Sequence, residues 1–589
     1  MKATNRTEAF DPASLRANLD HEPVPLTFGT SGRRGDVVHL TQLEVYLNAL
    51  AELEHLGSLP ADQGGIRRGD EFYFAFDLRP SSTRFVPEQQ SRGEIAQAIV
   101  RAIRDAGLQP VNLGAIPTPA LAFHALQRRR GSIMITGSHI PFERNGYKTN
   151  SARGELLKQD EAPINARVAE CRRRLYAQPG AESPFDRRGM FKGGQQELPP
   201  ERGTAREGYL RRYTDFFAGR SLRGRRLLVY QHSAVGRDLL VDLLRRHGAE
   251  VVPGGRSDTF VPIDTENIDA EQLNTIQALA REAWAKHGPL DAVVATDGDS
   301  DRPLVLAVEA DAGGPEPCRV RFFGGDLVGM IVAEFLRADA VVVPISCNDA
   351  IDRGSLKEFV EPKTRIGSPF VIAGMEQARA KGRRAVCGWE ANGGFLTGSD
   401  IVRDGRVLSA LPTRDAMLPI LGVLFSAAEH RLTLSALFDR LPKRFSRAAL
   451  LKKFPRPASQ RIIEQLSPAN AAIRDALFAG DQLDLRDAQG RAIAATSDEI
   501  TAVWLIRETL AGFFGPKLGF GRLVRLDYTD GVRASFDNGD VAHVRPSGNA
   551  DELRIYAVAD TPDRADAIAR LGVAEPDGIL RQMERGTPG

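Results

Sequence analysis

Five short segments carry side chains that could do chemistry. Thr136-Gly137-Ser138-His139-Ile140-Pro141, followed by Asn145-Gly146-Tyr147-Lys148, places a serine between Gly and His after a run of apolar residues. Such a serine could be a nucleophile or the cap of a helix. No G-x-S-x-G pattern surrounds it, which argues against a hydrolase elbow. Asp297-Gly298-Asp299-Ser300-Asp301-Arg302 puts a carboxylate at every second position. Three like charges this close are costly unless a hard cation sits among them, so the segment reads as a Mg²⁺ site. A calcium-sensing loop is excluded because Arg302 stands where it needs Gly and Val308 where it needs Glu. Arg545-Pro546-Ser547-Gly548-Asn549, with Arg554 beyond it, offers guanidinium, hydroxyl and backbone N–H groups to a phosphate, or is a plain turn. In Gly388-Trp389-Glu390-Ala391-Asn392-Gly393-Gly394, Glu390 and Asn392 can accept from and donate to sugar hydroxyls, while Trp389 suits a sugar face or a core. Phe28-Gly29-Thr30-Ser31-Gly32-Arg33-Arg34-Gly35 is an anion neighbourhood with neither a Walker lysine nor G-x-G-x-x-G spacing.

The hydrophobic pattern supplies the elements that must hold these segments. Phe72 to Phe76 and Ser132 to Thr136 read as buried strands, with Ile95, Ile99 and Ile103 at helical spacing between them until Gly107. Leu227 to Tyr230 and Ala292 to Ala295 read as strands around a helix striped by Leu239, Leu240, Leu243 and Leu244 and ended by Gly248. Leu327 to Leu336 reads as a helix ahead of strands at Val341 to Ile345 and Ala385 to Cys387. The alternation predicts an α/β class with mixed, largely parallel sheets. Near the carboxyl end, Leu523 to Asp527, Val532 to Phe536, Val541 to Arg545 and Glu552 to Val558 are separated by turns such as Asp530-Gly531 and Asn538-Gly539, and a helix from Asp563 to Leu571 follows. Short hairpin connections predict an antiparallel sheet and an α+β domain. The expected domains are 1–160, 208–322 and 323–445 for the α/β units and 506–589 for the last, with 161–207 and 446–505 as insertions or linkers.

Composition narrows the function classes. The 589 residues suffice for about four domains, and 26% charged with 42% hydrophobic residues argues against global disorder. With 78 Lys and Arg against 76 Asp and Glu, the net charge of +2 gives no field to draw nucleic acid or anionic lipid. Cys171, Cys318, Cys347 and Cys387 are far apart, without a CxxC pair, which excludes a disulfide framework or zinc site and suits a reducing compartment. The first residues lack the apolar core of a signal peptide, and the apolar run from Ala338 to Cys347 is too short to span a bilayer. A cytoplasmic protein with no nucleic-acid or membrane partner is expected.

Taken in order, FGTSGRRG, TGSHIPFERNGYK, DGDSDR, GWEANGG and RPSGN resemble the α-D-phosphohexomutase superfamily of phosphomannomutases and phosphoglucomutases, over residues from about 26 to 559. The resemblance implies three related α/β domains and a smaller fourth around one cleft, each giving one loop. It implies that Ser138 carries a phosphoryl group and joins Asp297, Asp299 and Asp301 as ligands of Mg²⁺. It implies that Arg302, Glu390, Asn392, Arg545, Ser547, Gly548, Asn549 and Arg554 bind a hexose phosphate. The reaction implied exchanges hexose 1-phosphate and hexose 6-phosphate through a hexose 1,6-bisphosphate, with Lys148, His139 or Arg33 taking the hydroxyl proton. Phosphomannomutase is the first expectation and phosphoglucomutase the second; a phosphatase and a non-catalytic sugar-phosphate-binding protein compete from other classes. Asn392 and Gly394 depart from the family's usual Glu-x-Ser-Gly-His, and Asn549-Ala550-Asp551 from its Thr-Glu-Pro. The expected assembly is a monomer or small homo-oligomer.

Overall fold

The computed structural model describes residues 13–586 except 30, 267, 312, 315 and 548–550. Alternation along the buried strand Glu71–Phe76 explains the first layer. Phe72 and Phe74 face the helices Gln42–Ser58 and Ile95–Asp105, while Tyr73 and Ala75 face Thr118–Gln127 on the other side. The strand pairs in parallel with Gln109–Ala115 and with Ser132–Ile135, after which Arg144–Ser151 and Arg33–Asp36 add antiparallel neighbours. Ile95, Ile99 and Ile103 are all fully buried, and Gly107, at φ 77°, closes the turn after the helix.

The next two units repeat the plan. Arg226–His232 lies parallel to Glu250–Arg256 and to Ala292–Thr296, which turns back into antiparallel Pro303–Ala310. Ala340–Val342 lies parallel to Val386–Trp389, which turns back into antiparallel Phe395–Thr397. In all three mixed sheets a strand of the parallel core is followed by a short loop and an antiparallel return. The segments 136–143, 297–302 and 390–394 are those three loops, so topology alone delivers one chemical segment per unit to an equivalent position. One continuous hydrophobic core joins the three units, running from Tyr73 and Leu121 through Tyr209, Leu227 and Phe425.

The last unit is an antiparallel sheet of seven strands with its own core, built around residues such as Phe514, Leu526, Ile555 and Ile568. Two expectations from the sequence are corrected here. Residues 446–505 are not a linker: Phe445–Lys452 pairs with Glu552–Ala559, and Asp475–Ala479 with Gln482–Arg486 extends the opposite edge. Apolar and polar residues mix along these strands because only one face is covered, which hid them from a search for continuous apolar runs. Residues 161–207 are not a linker either. Lys158–Tyr176 packs on Gln42–Ser58, and Thr204–Phe216 enters the joint core, where Tyr209 and Tyr213 both donate to buried Asp415 of the third unit.

The junction into the last unit is polar. Arg444, buried just ahead of Phe445–Lys452, donates from Nε and Nη2 to Asp349 at 2.7 and 2.9 Å, from Nη2 to the Gly539 carbonyl at 2.7 Å and from Nη1 to Asp560 at 2.6 Å. A separate core joined through charge pairs is what a hinging domain requires. No helix among the described residues is long and apolar enough to cross a membrane.

Candidate active site

The loop after Ser132–Ile135 holds its serine under strain. Ser138 has φ 55°, a left-handed conformation that costs a non-glycine residue on the order of 1 kcal/mol. Arg79 holds it there, donating to the carbonyls of Ser138, Pro141 and Arg144 at 3.1, 2.8 and 2.9 Å. The Arg79 guanidinium lies 3.7 Å from the centre of the Phe260 ring, which belongs to the second unit. Two glycines permit the close approach of the loops. A Cβ on Gly137 would sit 2.6 Å from Arg79 Nε, and one on Gly298 would sit 2.5 Å from the Ser138 carbonyl oxygen.

That approach brings the serine to the aspartates. Ser138 Oγ donates to Asp297 Oδ2 at 2.8 Å, and Asp297 Oδ1 accepts from the backbone N–H groups of Asp301 and Arg302 at 3.0 and 3.2 Å. Asp299 Oδ2 accepts from Thr118 Oγ1 at 2.6 Å and from Lys148 Nζ at 2.7 Å. Lys148 Nζ also reaches Asp301 Oδ2 at 2.6 Å, where Arg414 Nη2 arrives at 3.0 Å. Burial and the two neighbouring carboxylates hold Asp297 well above the ordinary carboxylate range. Asp299 is equally buried, yet Lys148 outweighs the burial and holds it below that range. Arg414, with Lys148 and Arg302, does the same for Asp301.

One oxygen from each aspartate lies within 4.8 Å of the others, all three residues are buried, and Asp299 Oδ1 and Asp301 Oδ1 have no hydrogen-bond partner. Buried carboxylate oxygens left without donors are a hard-cation donor set. The residues present therefore fit Mg²⁺.

All four units line the cleft above this cluster. Arg34, Arg144, Ser138, His139 and Lys148 come from the first, Asp264, Glu266 and Arg302 from the second, Glu390, Asn392 and Arg414 from the third, and Arg545, Ser547, Arg554 and Tyr556 from the fourth. Seven Lys and Arg side chains against three carboxylates outside the triad make it a site for an anion.

Comparison with known proteins agrees with this geometry. Residues 25–174 match phosphoglucomutase/phosphomannomutase alpha/beta/alpha domain I, and residues 324–445 match alpha/beta/alpha domain III. A phosphomannomutase of Sinorhizobium fredii is 36% identical over 549 residues, 93% of this chain and 98% of that one. A phosphomannomutase of Salmonella muenchen is 35% identical over 545 residues, 92% of this chain and 93% of that one. The chain belongs to the phosphoglucomutase/phosphomannomutase family. It is an intramolecular phosphotransferase, a phosphohexomutase. The fold is also that of a family member from Burkholderia thailandensis, with a TM-score of 0.60 at 18% identity over 95% of this chain and 98% of that one. A putative phosphomannomutase from Thermus thermophilus gives a TM-score of 0.57 at 20% identity over 93% and 98%.

Most of the sequence-derived residues of this phosphohexomutase meet in the cleft. Arg302 lies 3.9 Å from Asp297 and 3.6 Å from Asp301, and Glu390 accepts from Arg414 Nη1 at 3.0 Å. Asn392 Oδ1 is used within its own loop, accepting from the Gly394 N–H at 3.0 Å. Arg545 pairs with Asp530 at 3.0 Å, Arg554 with Glu552 at 2.9 Å, and the Ser547 N–H donates to the Glu552 carbonyl at 2.9 Å. Gly548 and Asn549 lie outside the described residues.

Arg33 is a correction. Its side chain is buried on the far side of Arg33–Asp36, donating to Glu52 at 2.6 Å and to the Leu26 carbonyl at 2.9 Å while lying 3.9 Å from the Phe28 ring centre. Side chains alternate along a strand, so Arg34, not Arg33, faces the cleft. Arg33 thus drops out as a base. Replacing Arg33 with Met is expected to destabilise the fold by about 3–5 kcal/mol, because Glu52 is left buried and unpaired. Thermal melting and steady-state kinetics check this; a raised KM with an unchanged melting temperature would contradict it.

The sequence reading also missed Arg414, Asp264, Glu266 and Tyr556, which lie outside the five segments. Arg414 sits on Leu411–Asp415, the strand that pairs with Phe395–Thr397 just after the sugar-type loop, and a charged residue in a buried strand was the available signal.

Proposed function

We propose that this enzyme interconverts mannose 1-phosphate and mannose 6-phosphate through a phosphoserine at position 138 and mannose 1,6-bisphosphate. The observation that carries the reading is the strained Ser138 held 2.8 Å from Asp297, beside carboxylate oxygens that lack partners and under a cation-lined cleft. The preference for mannose draws its support from the two phosphomannomutase relatives matched over nearly the whole chain.

In each half-reaction a P–O bond to one oxygen breaks as a P–O bond to another forms. The phosphoryl group leaves Ser138 Oγ for a sugar hydroxyl, the bisphosphate turns, and its other phosphoryl group returns to Ser138 Oγ. Asp297, Asp299, Asp301 and the Ser138 oxygen would hold Mg²⁺, which when bound offsets charge on the phosphoryl oxygens. The hydroxyl proton passes to His139 or Lys148, both of which line the cleft; Lys148 can accept it only after its ammonium has given up a proton and released Asp299 and Asp301. Burial and Arg302 push His139 down to about 3, so its imidazole is neutral at pH 7 but only a weak base. Arg545, Ser547 and Arg554 grip the phosphate that does not react; the fourth unit, with its own core, can move with it while the bisphosphate turns.

The test is direct. Purified enzyme, Mg²⁺, a trace of mannose 1,6-bisphosphate and mannose 1-phosphate should yield mannose 6-phosphate without free phosphate. Faster conversion of glucose 1-phosphate would assign the enzyme to glucose instead. Free phosphate as the main product would identify a phosphatase, and no product from either sugar would leave a binding protein.

A further inference from the structure

The cleft serves anions, yet three carboxylates outside the metal triad line it: Asp264, Glu266 and Glu390. Two are engaged. Glu390 accepts from Arg414 at 3.0 Å, and Asp264 Oδ1 accepts from the Glu266 N–H at 3.1 Å. The Glu266 carboxylate has neither a hydrogen bond nor an ion pair among the described residues.

A carboxylate in this position repels a phosphate and gains nothing from its acceptor oxygens. What it lacks is a donor. The groups of a hexose phosphate that can donate are its ring hydroxyls. Burial and neighbouring Asp264 push Glu266 up to about 7 against the pull of Arg554 and Arg302, as expected of a carboxylate short of donors.

Its placement is built rather than incidental. Buried Thr265 donates from Oγ1 to the Asn392 carbonyl at 2.8 Å, which fastens the 264–266 segment of the second unit to the sugar-type loop of the third. Glu266 is thereby set near Glu390 and Arg554, whose charges it feels. It also borders a neighbouring cavity of about 230 Å³, with Tyr556 as the other residue shared between the two spaces.

We propose that Glu266 is a hexose-binding residue whose carboxylate accepts a hydrogen bond from a ring hydroxyl and, with Glu390, sets which sugar the enzyme prefers. This deepens the proposed mutase reading and rests on it. A carboxylate from the second unit then joins Glu390 of the third in reading the sugar, beside the cations that suit its phosphates.

Glu266→Gln and Glu266→Ala are the variants to compare with wild type, using mannose 1-phosphate and its C2 epimer glucose 1-phosphate. Neither should lower the melting temperature, since the carboxylate supports no protein contact. KM for mannose 1-phosphate is expected to rise about 10- to 100-fold in Glu266→Ala, with a smaller change in kcat and a narrowed preference between the epimers. Glu266→Gln should fall between, because an amide oxygen still accepts. Unchanged KM and unchanged sugar preference in both variants would overturn the inference while leaving the mutase intact. So would a KM change matched by loss of thermal stability in both. A wild type inert toward every hexose phosphate would overturn the function and this inference together.

Discussion

Ser138→Ala is expected to fold and not to turn over. The side chain makes a hydrogen bond to Asp297 at 2.8 Å and a longer one with His139 Nδ1 at 3.4 Å, and the backbone of the loop is held by Arg79 rather than by the hydroxyl. Its loss is therefore expected to cost about 1 kcal/mol of stability. Turnover is expected to fall by roughly 10⁵- to 10⁶-fold, the scale seen when an enzyme's nucleophile is removed. Binding should persist, because Arg545, Ser547 and Arg554 lie on the last unit and depend on no contact with Ser138. Calorimetry with mannose 6-phosphate beside a coupled assay separates the two effects. Retention of even a hundredth of wild-type kcat would show that the phosphoryl group travels by another route.

Asp299→Asn is the second large effect expected. Asp299 Oδ1 is buried without a partner, and Oδ2 is shared by Thr118 and Lys148. The substitution removes a charge from the donor set and leaves Lys148 paired to Asp301 alone at 2.6 Å. Activity should fall about 10²- to 10³-fold and require more Mg²⁺. A readout independent of turnover is the melting temperature. An ion that binds only the folded state raises it as the ion concentration rises, so wild type should be stabilised by Mg²⁺ and Asp299→Asn much less. Chelation should stop wild-type turnover and added Mg²⁺ should restore it. Equal Mg²⁺-dependent stabilisation of both proteins would remove Asp299 from the site.

Much of the candidate site could be read from the sequence because the residues that meet in the cleft lie in short segments. Ser138 alone reads equally as a helix cap; what singles out Ser138, the alternating aspartates and Lys148 in the sequence is that their segments follow one another in the order of a known family. The strands Leu523–Asp527 and Val532–Phe536 were legible to the residue, because tight polar turns fix their ends. What failed did so for reasons of geometry. Arg33 and Arg34 are adjacent and alike in sequence, and only the phase of a four-residue strand decides which meets the cleft. Asp475–Ala479 and Gln482–Arg486 cover one face only and join their sheet at its edge, so neither composition nor run length marks them. Arg414, Asp264 and Glu266 enter the cleft through packing between units, and Thr265 meets Asn392 across 127 positions of chain. No local pattern encodes such a meeting.

The most direct measurement is the fate of a labelled phosphoryl group. Enzyme incubated with ³²P-labelled mannose 1,6-bisphosphate, then digested and mapped, should carry a single label on the peptide containing Ser138. Added mannose 6-phosphate should discharge that label into sugar bisphosphate and not into free phosphate. Label on any other residue, no label at all, or its release to water would contradict the account.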